Sequence, residues 1–501
     1  MNRERLTTWL LLAATFAVRA IHPGQPIVEN YVGRQIPTAM VARNLERGSG
    51  FLRPTLDTGP FPNLFLVEPP IFAQVVASAR ILGFDWETTG RLTSAAATTL
   101  AAWGLFGLAR RREGLPVAWL ALASFGAFPV MIRYGRSFQP DALMLGCVLA
   151  GLRAWDEFEA TGDRRWAWIG GFVLSTGLAL KVTVAWALIP FALIVTRWPL
   201  AWRIAAAVAM LGPSFAWYAW AWGDLEHPGT GSLASFDNAG YWVRSLSPTA
   251  WLRFSTYDHL ARGLLYRSFT PVGFVLAAWG LLASGKLDRI WVGWGAGSAL
   301  AIAVLASKWH HAYYWVVVAP LAAVGVARGL ARLAHRARFG PHTATGLGSI
   351  FLAACVAQTW STWQTPVEWV GIVEAGRAVA QLAPDLQLDL VVSPEALLYY
   401  ANRRGYRLEF DAESARRAAG ECGGSLRHEG PLALVEFYRT RPTTTGDPGS
   451  FLEADPGPVI VADSGPAEPG SARDRFRRAI RADPHYLVLI DRPDLLISKY
   501  R

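Results

Sequence analysis

The sequence predicts a helical protein that crosses a membrane many times and ends in a small α/β domain. Hydrophobic residues make up 52% of the 501 residues and charged residues only 17%, with a mean hydropathy of +0.23. Soluble proteins carry about 25% charged residues, so this balance favours a membrane protein. About eleven apolar runs approach the length that spans a bilayer, whereas the last part of the chain contains none.

The apolar runs predict a domain boundary near residue 360. They lie near 6–21, 91–109, 115–132, 141–155, 166–180, 183–196, 204–222, 270–284, 290–306, 313–331 and 345–360. Several are shorter than about 20 residues, so one or two half-helices are expected among them. We therefore assign 1–360 to a transmembrane domain with two long loops, 22–90 and 223–269.

Basic residues in the short connections predict the orientation of the chain. Arg19, late in the first run, and the lack of a small-residue cleavage site before Gly24 favour a retained helix over a cleaved signal peptide. With a cytoplasmic N-terminus, every second connection is basic and cytoplasmic. These connections hold Arg110, Arg111, Arg112, Arg164, Arg165, Arg197, Arg203, Lys286, Arg289, Arg328, Arg332, Arg336 and Arg338. Both long loops and the C-terminal tail then lie outside.

Charge and cysteine content exclude two classes of protein. The net charge of +10 does not indicate nucleic-acid binding, because the basic residues lie in short loops rather than in one patch. Cys147, Cys355 and Cys422 form neither a disulfide framework nor a metal-binding spacing. The 23 tryptophans instead fit a protein with many membrane–water boundaries.

The tail at 361–501 differs in composition and predicts a small extracytoplasmic α/β domain. Short β-like runs, rich in Val, Ile and Leu, alternate with a predicted helix in SPEALLYYANRRG (393–405). The runs lie at 388–393, 432–438, 458–463 and 485–491, and an exposed loop is expected at 441–457. The sequence leaves open whether this domain is a lid, an acceptor-recognition module or a structural cap.

The first long loop carries charges of both signs on two predicted surface helices. Solvation alone accounts for most of them. Pro37, at a first-turn position, and the apolar side formed by Ile36, Met40 and Val41 also predict a helix lying on the membrane surface. A second segment, 65–84, repeats the pattern of an apolar stripe with interspersed polar residues. The loop therefore predicts a platform at the outer leaflet.

Four stretches together resemble family 39 glycosyltransferases of the GT-C superfamily, relatives of the protein O-mannosyltransferases and lipid A aminoarabinose transferases. The first loop reads GRQIPTAMVARNLERGSGFLRPTLD and then VEPPIFAQVVASARILGF. The later stretches read PVMIRYGRSFQPDALML (129–145), SKWHHAYYWVVVAPLAAVG (307–325) and SPEALLYYANRRG. The resemblance extends over essentially the whole chain and implies a GT-C fold.

The resemblance also implies an activity. Such enzymes transfer a sugar from a polyprenyl-phosphate carrier to an acceptor hydroxyl at the outer face of the bacterial cytoplasmic membrane, and we expect inversion at the sugar carbon. The expected partners are the lipid-linked donor, the bilayer and an acceptor that is a glycan, a lipid or a protein. No cofactor is expected, and a divalent metal held by the pair His310 and His311 stays an open alternative that the resemblance does not favour. The sequence does not identify the donor sugar.

Four carboxylates are candidates for the base that accepts the acceptor's proton. Glu29 stands five residues before Arg34, where family members carry an Asp before the Arg-Gln pair, so the resemblance favours it. Asp57, Glu68 and Asp141 are the alternatives. Asp141 opens a predicted helix after Pro140, where the helix dipole by itself favours an acid.

Cations are expected to bind the phosphate leaving group. A Lys inside a span costs about 2.5–3.5 kcal/mol and so tends to have a partner, although snorkelling also explains Lys181 at a helix end. A second group lies at another predicted helix end, where the aromatic-belt pattern alone does not require a Lys and a His pair. The predicted substrate- and phosphate-binding residues are Arg34, Arg133, Arg136, Lys181, Lys308, His310, His311 and Tyr313.

Two other functions stay open at this stage. A transporter or flippase also has many spans and intramembrane charge, but the sequence lacks the two similar halves that are usual for transporters. A non-catalytic GT-C component of an envelope assembly is the other alternative. It is kept open by Arg34 and Pro37, because related sequences carry acids at or near these positions.

Overall fold

The structure is a computed structural model in which the chain forms two compact units. It describes residues 3–59, 61–225, 248–283, 285–335, 340–382, 389–421, 435 and 459–500. The first unit takes the residues up to Asn30, Val67–Trp222 and the described residues from 248 to Gln364. The second unit takes Tyr31–Leu66 and the described residues from Thr365 onwards.

The first unit is built from helices. In chain order these are α1 (Arg3–Arg19), α3 (Ile71–Ala79), α4 (Trp86–Glu113), α5 (Leu115–Ala127), α6 (Pro129–Tyr134), α7 (Asp141–Thr161), α8 (Arg164–Leu180), α9 (Leu188–Ile194), α10 (Leu200–Leu225), α11 (Phe254–Arg262), α12 (Pro271–Ala283), α13 (Arg289–Val304), α14 (Ala319–His335) and α15 (Gly340–Thr359). Short 3-10 turns cover Val182–Ala187, Ala306–Lys308, Ala312–Val317 and Trp360–Trp363, and a π-helix covers Gly263–Ser268. The mostly helical fold predicted from the sequence is confirmed.

The described helices do not confirm the predicted count of about eleven spans. Two segments, Trp86–Glu113 and Leu200–Ala221, are long and apolar enough to cross a membrane. A third is added if Phe254–Ser268 and Pro271–Ala283, bent by 101°, form one span. The predicted runs are broken more often than their composition suggests. The run at 115–132, for example, is divided where Pro129 begins α6.

A buried arginine satisfies the backbone at this break. Arg19, in α1, is fully buried and donates hydrogen bonds to Gly126 O at 3.1 Å and Met131 O at 2.9 Å. Its third bond goes to Thr15 O at 2.7 Å, within α1. Carbonyl groups near a broken helix need partners when water is excluded. The arginine near the end of the first apolar run therefore has a structural role.

Close glycine packing joins α12 to α14. A Cβ atom added to Gly280 would collide with the backbone of Gly325 and Gly329, and one added to Gly329 would lie 2.8 Å from Leu276 O. Small residues four apart allow helix backbones to approach closely in the absence of water. The Gly325-x-x-x-Gly329 pair thus fits against Gly280.

The second unit is an α/β domain with a five-stranded sheet. Its helices are α2 (Val32–Glu46), α16 (Val367–Leu382), α17 (Ala396–Ala401), α18 (Ala412–Glu421) and α19 (Ala472–Ala482), and its strands are β1 (Asp389–Ser393), β2 (Tyr406–Arg407), β3 (Val459–Ser464), β4 (Tyr486–Arg492) and β5 (Leu495–Tyr500). The strand order is β2-β1-β3-β5-β4. The first three strands are parallel, and β5 runs antiparallel to both neighbours.

The small C-terminal sheet predicted from the sequence is confirmed. The β-like runs at 388–393, 458–463 and 485–491 correspond to β1, β3 and β4, whereas 432–438 lies outside the described residues apart from Val435. Buried Val391, Val461 and Leu496 form its core with Phe476 of α19. Tyr31–Leu66, a segment of the first long loop, groups with these C-terminal elements.

We expect Gly280→Ala to destabilise the first unit by about 1–3 kcal/mol, because the new methyl group meets backbone atoms that cannot move aside. Thermal unfolding in detergent micelles measures the effect as a lower Tm. Gly346→Ala in α15 is the matched control, since a Cβ atom there meets nothing within 4 Å. Equal Tm values for the two variants would contradict the packing described.

Candidate functional site

An ion pair forms where α7 begins and α8 ends. The two helices pack together and run in opposite directions, so the first residue of α7 lies beside the residue that follows α8. The side chain of Lys181 donates from Nζ to Oδ1 of Asp141 at 2.6 Å.

Asp141 keeps one carboxylate oxygen available. Asp141 is only 2% exposed, yet its Oδ2 atom has no hydrogen-bond partner among the residues that the structure describes. The Lys181 ammonium also lies 4.7 Å from the centre of the Tyr313 ring. The lysine is therefore held between an anion and an aromatic face, while the second oxygen of Asp141 can still accept a proton.

A second group of cations lies in the turn between α13 and α14. Burial lowers the pKa of Lys308 to about 8. Burial and the positive charges of His310, Lys308 and Lys181 lower the pKa of His311 to about 4. His311 is therefore neutral near pH 7, whereas most of Lys308 is charged. Since both ammonium groups act on the same imidazole, Lys181 and Lys308 converge on one region.

Aromatic rings hold this turn in place. The rings of His311 and Tyr313 stack with centroids 5.5 Å apart, and the Tyr134 ring meets the Tyr313 ring edge-on at 6.0 Å. Arg267 donates to the backbone oxygen of His310 at 3.1 Å. Two lysine ammonium groups near one imidazole, one of them paired with a carboxylate, suit the binding of a phosphate group. We call Asp141, Lys181, Lys308, His311 and Tyr313 the basic site.

Glu29 lies in the same unit but is bound by a different cation. Arg91 of α4 contacts both of its carboxylate oxygens, with Nη2 2.8 Å from Oε2 and Nη1 bonded to Oε1. Arg91 also donates to the backbone oxygens of Gln25 and Pro26, each at 2.9 Å. Both residues are buried, so this pair organises the start of the first long loop. Arg91 was not among the site residues predicted from the sequence, although it lies at the edge of an apolar run and within the stretch GRLTSAA, which shares the family resemblance.

The two arginines before α7 bind backbone carbonyl groups. Arg136 is fully buried and donates to Ile21 O at 2.6 Å and Thr362 O at 2.7 Å. Arg133 donates to Arg267 O at 3.1 Å and also to Gln358 O. These bonds satisfy the ends of helices and turns. The role in substrate binding predicted for both arginines stays a prediction.

The remaining candidates, Glu68, Arg34 and Asp57, are divided between the two units. Glu68 is buried in the first unit, just before Pro69 and α3. Arg34 and Asp57 belong to the second unit. There Arg34 lies 5.3 Å from the Phe65 ring centre, and Asp57 is fully buried.

Among the described residues, no group of three or more His, Cys, Asp or Glu side chains is arranged to hold a metal ion. His310 and His311 are adjacent, with ring centroids 3.8 Å apart, but a metal site needs further ligands.

Comparisons with known proteins identify the type of fold. A family profile described as dolichyl-phosphate-mannose-protein mannosyltransferase matches residues 67–220, and a comparison with curated protein sequences finds no significant match. The structure is similar to ArnT from Cupriavidus metallidurans bound to undecaprenyl phosphate, with a TM-score of 0.62 and 15% identity. That alignment covers 99% of this chain and 97% of ArnT.

Two further solved structures share the architecture. The Archaeoglobus fulgidus oligosaccharyltransferase in complex with Zn and sulfate aligns with a TM-score of 0.54 and 11% identity. That alignment covers 91% of this chain and 68% of the oligosaccharyltransferase chain. The mycobacterial arabinofuranosyltransferase AftD aligns with a TM-score of 0.53 and 15% identity. That alignment covers 99% of this chain and 40% of the AftD chain. The resemblance to GT-C glycosyltransferases predicted from the sequence is thereby confirmed at the level of the fold.

We expect the affinity for a phosphate monoester to fall as the pH rises through about 8, where Lys308 loses its proton. The phosphate carries between about 1.5 and 2 negative charges at pH 7 and stays charged at higher pH, so the change reports on the lysine. Binding of an alkyl phosphate monoester between pH 6.5 and 9.5 measures it. Lys308→Arg should stay charged and abolish the decline, whereas an identical decline in that variant would contradict the assignment.

Proposed function

We propose that the protein is a membrane glycosyltransferase that moves a sugar from a polyprenyl-phosphate donor to an acceptor hydroxyl. The observation that carries this proposal is the basic site, in which Lys181 pairs with Asp141 and both Lys181 and Lys308 lie close enough to His311 to lower its pKa. The GT-C-type fold supports it, as does the similarity to an ArnT structure bound to undecaprenyl phosphate. The acceptor's class stays open, because no described contact is specific for a protein, a lipid or a glycan.

The proposed transfer is a single displacement. The acceptor oxygen attacks C1 of the sugar, the bond from C1 to the phosphate oxygen breaks, and the bonding electrons remain on the phosphate. A carboxylate takes the acceptor's proton. One displacement inverts the configuration at C1. Lys181 and Lys308 offset the charge that develops on the polyprenyl phosphate as it leaves.

Asp141 is the base that the geometry supports best. The sequence favoured Glu29 in the first long loop, but Arg91 engages both oxygens of that residue. Asp57 likewise has both oxygens engaged, by Arg43 and Asn44. A base needs an oxygen that can approach the acceptor, and Oδ2 of Asp141 has no partner among the described residues. We therefore propose Asp141 as the base, with Glu29 as the alternative to be tested beside it.

The membrane arrangement is part of the same proposal. We infer about eleven spans in the bacterial cytoplasmic membrane, with the N-terminus in the cytoplasm and residues 361–501 outside. The basic connections support this orientation. The two long loops then face the outer leaflet, where a polyprenyl donor would lie. Burial of its tail would contribute about 0.8 kcal/mol for each CH₂ group.

We expect the purified protein, in nanodiscs, to release polyprenyl phosphate from a polyprenyl-phosphate sugar when an acceptor is supplied. Asp141→Asn should lower kcat by about 10²–10⁴-fold, because the acceptor loses its proton acceptor. Glu29→Gln should lower kcat less, because it weakens the Arg91 pair without removing the base. Radiolabelled donor sugar measures both rates.

The pair of variants separates the two carboxylates. Loss of turnover in Glu29→Gln together with full turnover in Asp141→Asn would assign the base to Glu29. Full turnover in both would refute carboxylate catalysis at these positions. Donor binding without release of polyprenyl phosphate by the wild-type protein would instead favour a non-catalytic component or a transporter.

We expect Lys181→Ala and Lys308→Ala each to raise KM for the donor by about 10-fold or more, since a charged hydrogen bond contributes about 1.5–3 kcal/mol. Initial rates at varied donor concentration measure the change. Lys286→Ala, which removes a lysine outside the basic site, should leave KM at the wild-type value. An unchanged KM in both site variants would remove the lysines from the phosphate site.

A further inference from the structure

Asp57, a base candidate in the sequence analysis, forms the centre of a buried network in the second unit. Its side chain is 0% exposed. Arg43 of α2 forms an ion pair with Oδ2, and the Asn44 amide donates to Oδ1 at 3.0 Å. Arg47 adds a weaker contact, with Nη1 3.7 Å from Oδ1. Both carboxylate oxygens are thus engaged by side chains of a single helix.

The same arginines extend from α2 to α17 of the C-terminal domain. Arg43 donates from Nη1 to Tyr399 O at 2.7 Å, and its guanidinium lies 4.8 Å from the centre of the Tyr399 ring. Arg47 donates from Nη2 to Asn402 Oδ1 at 2.6 Å. The last carbonyl groups of a helix lack partners within it and attract cations. Arg43 therefore links the carboxylate of Asp57 directly to the end of α17.

Backbone pairing continues the connection beyond the side chains. Gly405, just before β2, donates to Asp57 O at 2.9 Å, and Gly59 donates back to Gly405 O at 2.7 Å. Thr58 adds a side-chain bond from Oγ1 to Glu395 Oε1 at 2.7 Å. The segment around Asp57 thus pairs with the edge of the C-terminal sheet, as a short extra strand would.

Such a buried network fixes the relative positions of the segments that it joins more than it increases the free energy of unfolding. Removing a carboxylate and a guanidinium from water is costly, and their attraction offsets this cost only when the remaining donors and acceptors are also paired. Asp57 meets this requirement through Asn44. Arg43 meets it at Nη1, which donates to Tyr399 O, whereas its buried Nε has no hydrogen-bond partner among the described residues. Removing the charge of Asp57 alone leaves the buried Arg43 cation uncompensated.

We propose that Asp57 is a positioning residue for the transfer, joined to Arg43 and Tyr399 in a clamp that holds helix α2 on the C-terminal domain. This inference rests on the proposed function. Helix α2 begins at Val32, three residues after Glu29, and it continues the first long loop. The C-terminal domain thereby has a role in the reaction, because it holds helix α2, the helix that follows Glu29 along the chain.

The occupied oxygens distinguish this role from that of a base. Both side-chain oxygens of Asp57 are already engaged, Oδ2 by Arg43 and Oδ1 by Asn44 and Arg47. Its substitution should therefore slow the reaction without removing a titrating group from the pH profile. The phosphate-binding lysines belong to the other unit, so the KM for the donor should not change.

The experiment uses the full-length protein in nanodiscs. Asp57→Asn should lower kcat by about 10- to 100-fold, because small displacements of positioning elements cause losses of this size. The KM for the donor and the shape of the pH–rate profile should match the wild type. Asp491→Asn is the matched control, since it removes the same charge from an exposed pair with Arg481 in the same unit. It should keep wild-type kcat and Tm.

A double variant tests whether the effect is only a loss of stability. Asp57→Asn with Arg43→Met removes both buried charges, so Tm should return towards the wild-type value. The kcat should stay low, because the bond from Arg43 to Tyr399 O is also lost. Recovery of kcat together with Tm would overturn the positioning role. Loss of the acidic limb of the pH profile in Asp57→Asn would overturn it in favour of a base.

Hydrogen exchange tests the clamp without relying on turnover. Amides of α2 should exchange at least about 10-fold faster in Asp57→Asn than in the wild type, as expected when a local opening becomes easier, whereas Asp491→Asn should leave them unchanged. Unchanged exchange in α2 overturns the clamp. Absence of turnover in the wild type overturns the proposed function, whereas wild-type turnover with an unaltered kcat in Asp57→Asn overturns this inference alone.

Discussion

The pairing of buried charge with backbone or carboxylate oxygen is the constraint on which this structure depends. In apolar surroundings an unpaired ion or carbonyl group is costly, so each buried guanidinium must find several acceptors. Arg19 bonds carbonyl groups on both sides of the break between α5 and α6, and Arg136 bonds carbonyl groups from two distant segments. The helices of the first unit can therefore be short and broken without leaving these polar backbone groups unsatisfied.

The same constraint distinguishes cations that stabilise the fold from cations that can bind a substrate. Arg91 has its donors directed at Glu29 and at two carbonyl groups, which gives it a complete set of acceptors within the fold. Lys181 and Lys308 are compact ammonium groups, and Lys181 donates to one carboxylate oxygen of Asp141 in the basic site. A lipid phosphate would supply the further oxygen atoms that such ammonium groups bind. The distinction rests on donor geometry, since Arg presents five donors in a rigid fork and Lys a mobile point charge.

In the second unit, the pairing of buried charges joins segments that are far apart in the sequence. Asp57 and Arg43 are distant from Tyr399 in sequence, yet their bonds join a segment of the first long loop to the end of α17. The C-terminal sheet also pairs with this loop through Gly405 and Gly59. A domain that composition alone describes as a lid, a recognition module or a cap thus acquires a definite structural task, which is to hold helix α2.

The sequence by itself determined the broad character of the protein. Its apolar runs indicate membrane helices and its tail predicts an α/β domain, because periodicity and composition are local properties. The GT-C fold was implied separately, by the resemblance of its motifs to a known family. Tertiary structure alone decided the pairings. Glu29 meets Arg91 62 residues away, and Asp141 meets Lys181 40 residues away, so nothing in either local pattern identifies the partner. These long-range pairings decide which carboxylate has an oxygen without a hydrogen-bond partner among the described residues. The reason is that the burial and the charge compensation of each carboxylate depend on the residues that the fold brings next to it.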